Sequence, residues 1–185
     1  SLQDELSFHI TEDNLLIRAD QLRARLRLYP VMVLSQMLLE PLFVWLFWGH
    51  VDHQSLLFWL ACIYAIHGLE IFLWWRYRAQ LNTLQQCRRW RLTFNLLALL
   101  VALAWGAIAV WFFPQDLAFQ ALMICLVLGL VAGAVTLDSV YPPALYIYVA
   151  GVSLPLLANL ILAGDQTHWL LASMLLLFII GSLSA

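Results

Sequence analysis

The chain has 185 residues, of which 64% are apolar and 11% charged, and its mean hydropathy is +0.86. Soluble domains run at about 45–50% apolar and about 25% charged, so this composition excludes a water-soluble globule. The formal charge of −2 decides little, and no nucleic-acid partner is expected. Cys62, Cys87 and Cys125 fit no zinc or disulfide spacing, and two of them fall inside apolar runs.

In chain order, residues 1–28 read as a cytoplasmic segment. Within it, 11–28 reads as a helix with Thr11 at its N-cap and Glu12 and Asp13 in its first turn, where the helix dipole favours negative charge. Leu15, Ala19, Leu22 and Leu26 recur at helical spacing, with arginines mostly on other faces. Two readings stay open: an amphipathic helix on anionic lipid, or an extension of the first span.

Six apolar runs follow, at 29–48, 55–75, 92–113, 118–137, 144–162 and 169–185. A bilayer core of about 30 Å takes about 20 helical residues, and none of the runs alternates with period two. The expected fold is therefore all-α: a polytopic bundle of six transmembrane helices over 29–185.

All nine basic residues are arginine. Arg18, Arg23, Arg25 and Arg27 precede the first run, and Arg76, Arg78, Arg88, Arg89 and Arg91 lie between the second and third. The positive-inside rule puts both regions, and with six crossings both termini, in the cytoplasm. The five arginines of 76–91 read as lipid-facing or topology anchors. Trp45, Trp48, Trp59, Trp111 and Trp169 are expected at the outer membrane interface, and Trp74, Trp75, Tyr77 and Trp90 at the inner one. Trp105 lies within the third run. The outer connections (49–54, 114–117 and 163–168) are turns, too short for a ligand-binding domain. His50, Asp52, His53, Asp116, Asp165 and His168 share that surface, either as polar turn residues or as a metal site.

Ionisable residues within spans cost about 2.5–3.5 kcal/mol and normally face the bundle interior. Glu40, His67, Glu70 and Asn159 therefore form a candidate polar cluster, either sensing or purely structural. At 1.5 Å per residue, Glu40 lies about 18 Å and His67 about 12 Å from the cytoplasmic ends of their runs. Pro41 frees the carbonyl of Met37. A metal or haem role for His67 with Glu70 is a further, weaker reading. Gly129 and Gly133 in the fourth run, and Ala102 and Gly106 in the third, are small residues at the spacing that lets helices pack closely, within a subunit or across a dimer. Pro155 is expected to bend the fifth run, and Asp138 to face cytoplasmic water before the turn at Tyr141-Pro142-Pro143. No nucleophile, base and oxyanion set converges anywhere.

Trp105-Gly106, Pro114, the stretch from Gly129 to Ala134, Pro142 or Pro143, and Pro155, with an arginine-rich helix and Tyr29-Pro30 ahead of the first span, resemble a known group. It is the N-terminal membrane region of bacterial signalling proteins, chiefly diguanylate cyclases with a GGDEF domain and hybrid histidine kinases. Glu40, His67 and Glu70 match nothing in that pattern. The resemblance implies a sensory module of the bacterial inner membrane, a homodimer in contact with the bilayer and with an unknown small or apolar ligand. Ser1 is not an initiator methionine and Ala185 ends within an apolar run, so a cytoplasmic output domain is expected beyond it. That domain would use GTP and Mg if it is a cyclase making cyclic di-GMP; no cofactor is expected in this segment. A small proton-linked transporter is the alternative.

Overall fold

The computed structural model describes residues 15–78, 83–139 and 141–184. Within them the chain forms six helices: α1 (Leu15–Phe47), α2 (His53–Tyr77), α3 (Leu84–Trp111), α4 (Leu117–Asp138), α5 (Pro142–Ala163) and α6 (Gln166–Ser184). All six are long and apolar enough to cross a bilayer. The protein is a multi-pass, all-helical membrane protein. Thr11, Glu12, Asp13 and Ala185 lie outside the described residues, as does the side chain of Asp138.

Among the described residues, the arginines lie within helices or at a helix end. Residues 15–28 continue into the first span as one 33-residue helix, and α3 begins eight residues ahead of its apolar run. Its start is a capping box: the Thr83 hydroxyl accepts from the Gln86 N–H, and the Gln86 side chain accepts from the Thr83 N–H. Ala19, Leu22 and Leu26 are buried against Cys87, Trp90 and Phe94 of α3. This apolar stripe of α1 therefore meets protein, where the lipid-surface reading had placed it on a bilayer.

Aspartates cap three helices at the end remote from the arginines. Asp52 accepts from the Ser55 N–H, Asp116 from the Ala118 N–H, and Asp165 from the His168 N–H. Each satisfies a backbone donor that the first turn of a helix leaves free. Gly164 closes α5 at φ +76°, a left-handed conformation that suits glycine at a helix end.

Between lipid-solvated helices, exchanging a leucine–lipid contact for a leucine–leucine contact gains little, so close shape and hydrogen bonds hold the bundle together. α3 and α5 form its most intimate pair. A Cβ on Gly106 would stand 2.3 Å from the Gly151 carbonyl oxygen, and one on Gly151 would stand 2.6 Å from the Ala102 Cβ. Gly106 and Ala102 thus stand at a close helix contact, with Gly151 as the unforeseen partner. Gly129 and Gly133 make no such contact within the described residues of the chain: nothing lies within 4 Å of where a Cβ would be. Trp59 and Trp90 are buried in the core, whereas Trp45, Trp48, Trp75, Trp111 and Trp169 are exposed. Trp105 is fully buried and meets Phe43 and Trp59 edge-on.

Candidate functional site

The site is built on the α1–α2 hairpin. Pro30 and Pro41 lie inside α1, and each removes the N–H that would bond the carbonyl four residues earlier. These carbonyls belong to Leu26 and Met37, and α2 supplies a donor to both. Trp74 donates its indole N–H to the Leu26 oxygen at 2.8 Å, and Tyr64 donates its hydroxyl to the Met37 oxygen at 2.8 Å. The two breaks in α1 thereby become two attachments to α2.

Between these attachments lies a line of buried polar side chains. His67 and Glu70, three residues apart, share one face of α2. The His67 Nδ1 lies 2.6 Å from Glu70 Oε2, and its Nε2 lies 2.6 Å from Glu40 Oε1 on α1. Tyr29, one residue before Pro30, donates its hydroxyl to Glu70 Oε1 at 2.8 Å. Glu40 and His67 are fully buried and Glu70 nearly so. An imidazole with a carboxyl oxygen on each nitrogen is satisfied by an imidazolium between two carboxylates. It is equally satisfied by a neutral ring with one carboxyl protonated. The two forms carry the same number of protons and differ only in where one resides. Glu40 Oε2 is buried and has no partner among the described residues.

Three of the four expected cluster members are thus brought together, and Tyr29 joins them. Asn159 does not. Its side-chain amide on α5 donates to the Ala109 carbonyl in the last turn of α3, where helix geometry leaves carbonyls unpaired. Asn159 therefore fastens α5 to the end of α3. Because both His67 nitrogens face carboxyl oxygens, the arrangement leaves neither for haem or metal.

Beside the cluster, a cavity of about 270 Å³ lies between α1, α3 and α4. Tyr29 and Glu70 form part of its wall, with Arg25 and Gln36 from α1 and Gly129 and Gly133 from α4. The absence of side chains at the two glycines thus makes room for the cavity. Arg25, unlike the exposed Arg76, Arg78, Arg88 and Arg89, is only 3% exposed. Its guanidinium carbon stands 4.9 Å from the Phe94 ring centre and 5.2 Å from that of Tyr141, within cation–π range. Arg91 is half-buried. Sequence reading grouped Arg25 with the other basic residues; its place on the Leu22–Leu26–Tyr29 stripe was the available signal.

At the opposite end, no group of three or more histidine, cysteine or acidic residues could hold a metal ion among the described residues. Asp52, Asp116 and Asp165 serve as caps. His53 stacks on Trp48 and contacts its carbonyl, and His50 lies against the Phe119 ring. His168 bridges Asp165 and the Gln120 side chain, whose amide donates to the Pro114 carbonyl. The Ser55 N–H holds the Asp52 carboxyl below its ordinary range, and the His168 N–H does the same for Asp165.

No family model matches the chain, and no curated protein or solved structure matches it either.

Proposed function

We propose that this chain is a membrane-embedded sensory module whose input site is the cavity with its adjoining line of Tyr29, Glu70, His67 and Glu40. One observation carries the reading: His67 of α2 stands between a Glu40 oxygen of α1 and a Glu70 oxygen, an arrangement that accommodates its shared proton in either of two places, and Glu70 with Tyr29 forms part of a cavity wall. An occupant that altered the Tyr29–Glu70 contact would change where that proton resides, and with it how the two helices are joined. A ligand shifts an equilibrium only by its difference in affinity for the two states, and contact with Tyr29 and Glu70 supplies such a difference. In keeping with the resemblance described above, the module would lie in a bacterial inner membrane with the arginine-rich end in the cytoplasm. It would act as a homodimer on a cytoplasmic output domain, most simply a diguanylate cyclase using GTP and Mg, or else a histidine kinase.

Intact mass spectrometry of the native gene product tests this. A mass tens of kilodaltons above 21.2 kDa supports an attached output domain, which assays with GTP and ATP would then identify. A mass near 21.2 kDa removes that part of the reading. It would favour a small proton-linked transporter, which the unpartnered Glu40 oxygen also favours. Proton flux in proteoliposomes separates the two, since a sensor carries none.

A further inference from the structure

Three distributions of protons fit the buried line of Glu40, His67 and Glu70. In the first, His67 is an imidazolium between two carboxylates. In the second, Glu40 carries the proton and donates from Oε1 to Nε2, while Nδ1–H donates to Glu70 Oε2. In the third, Glu70 carries the proton and donates from Oε2 to Nδ1, while Nε2–H donates to Glu40 Oε1. All three hold the same protons and the same net charge, so hydrogen bonding and burial decide among them.

The two carboxyl groups are not equivalent. Each Glu70 oxygen faces a donor: Oε1 the Tyr29 hydroxyl at 2.8 Å, and Oε2 the His67 ring at 2.6 Å. Glu40 meets the ring on Oε1, and its buried Oε2 has no partner among the described residues. The Tyr64 hydroxyl donates to the Met37 carbonyl, one turn before Glu40, and not to Glu40 itself. An unsatisfied buried oxygen costs more on an anion than on a neutral acid. A carboxylate with a donor on each oxygen is the better home for the charge. The third distribution puts that charge on Glu40, against both arguments. The first buries three charges where the second buries one, and a buried ion pair offsets its desolvation only when the remaining lone pairs are satisfied. Those of Glu40 Oε2 are not.

We propose that Glu40 is the proton-carrying member of the line and Glu70 its anion, with His67 a neutral ring protonated on Nδ1 alone. Tyr29 is then the residue that holds the charge on Glu70. When its hydroxyl is drawn away, each carboxyl keeps one contact and the two neutral-ring forms become comparable. The proton passes along the line: the Glu40 O–H bond breaks as Nε2–H forms, and Nδ1–H breaks as Glu70 O–H forms. No proton enters or leaves, the ring exchanges tautomers, and the negative charge crosses from α2 to α1. Where the proton resides follows from the hydrogen bonds, while its transfer rests on the reading of the cavity as the input site.

Solid-state nitrogen NMR of the full chain in bilayers, with isotope-labelled histidine rings, tests this. The three distributions differ in signature, since both His67 nitrogens, Nδ1 alone or Nε2 alone carry a proton. Subtracting the spectrum of His67→Gln identifies the signals. If that variant does not fold, replacing His9, His50, His53 and His168 leaves only the His67 ring. A proton on Nδ1 alone is the expected result. A proton on Nε2 in the wild-type protein, with or without one on Nδ1, overturns the proposal. Tyr29→Phe should raise the share of the Nε2–H tautomer at least about tenfold, the equivalent of one hydrogen bond to a charged group. An unchanged share overturns the role given to Tyr29. The expected tautomer, with an output indifferent to Tyr29→Phe, leaves the proton on Glu40 and removes the sensory reading. A proton on Nε2, with an output that follows Tyr29→Phe, does the reverse.

Discussion

Glu40 and His67 meet across the α1–α2 interface at 2.6 Å, with no exposed surface on either side chain. The pair is the inner end of a line that begins at Tyr29, so removing one member affects the rest. Replacing His67 strands two carboxyl groups, whereas replacing Glu40 by glutamine keeps an acceptor for the ring.

We therefore expect His67→Leu to destabilise the protein by about 1–3 kcal/mol, the cost of leaving a buried polar group unsatisfied. Glu40→Gln should cost less, near the about 0.6 kcal/mol average for interhelical bonds in membranes, and should alter any proton-linked response. Unfolding in mixed micelles measures the first effect. An unchanged pH or ligand response in Glu40→Gln, at equal expression, would remove Glu40 from the mechanism.

The proline attachments make a prediction about coupling. Trp74→Phe should cost about 0.5–1.5 kcal/mol, because the Leu26 carbonyl loses its donor. In a Pro30→Ala background the restored helical N–H supplies that donor, so the same substitution should cost much less. Tyr64→Phe with Pro41→Ala should behave alike. Double-mutant cycles measure both couplings, and strict additivity would show that the side chains do not serve the freed carbonyls.

The glycines divide into two groups. Gly106→Ala should destabilise by about 1–3 kcal/mol through overpacking, since its Cβ would meet the Gly151 oxygen at 2.3 Å. Gly129→Ala meets open space and should stabilise by about 0.5–1 kcal/mol through lower backbone entropy in the unfolded chain. Paired thermal melts in one detergent decide this, and equal effects at both positions would contradict the packing described.

Acid should loosen the end remote from the arginines. Asp52 and Asp165 have folded-state pKa values below the ordinary 3.8, so the stability they add is fully present above that value. It is lost as pH falls through their lowered values. Asp52→Asn and Asp165→Asn should flatten the pH dependence of the melting temperature below about pH 4 and leave it unchanged near neutrality.

The six helices and the Glu40–His67–Glu70 grouping were legible in the sequence because the cost of moving charge and backbone into hydrocarbon is written in composition and spacing. What each apolar residue faces was not. In a bilayer the lipid-facing and protein-facing sides of a helix are both apolar, so periodicity does not separate Trp59, in the core, from Trp45, on the surface. The same ambiguity hid the open surroundings of Gly129 and Gly133, since a small residue marks either a close contact or a space. Asn159 stands four residues from the end of α5, whereas His67 and Glu70 stand 14 and 17 residues from the start of α2, so it lies nearer the end remote from the arginines, in another layer of the bundle. Tyr29 was within reach of a simple argument: folding α2 back on α1 through the turn after Phe47 sets Glu70 level with Tyr29-Pro30. Sequence left the 15–28 helix open between a lipid-surface helix and an extension of the first span, because hydropathy marks where lipid begins and not where a helix carrying arginines starts.

Prolines in a membrane helix usually mark where it can flex on its own. In α1 both such places are tied to one neighbour, by Trp74 near one end and Tyr64 further along. Neither place can part from α2 without losing a hydrogen bond, so α1 and α2 are joined as by two rivets. The cavity lies on the other side of α1, against α3 and α4, where the Trp105 indole of α3 holds the Gln36 side chain of α1 and not its backbone.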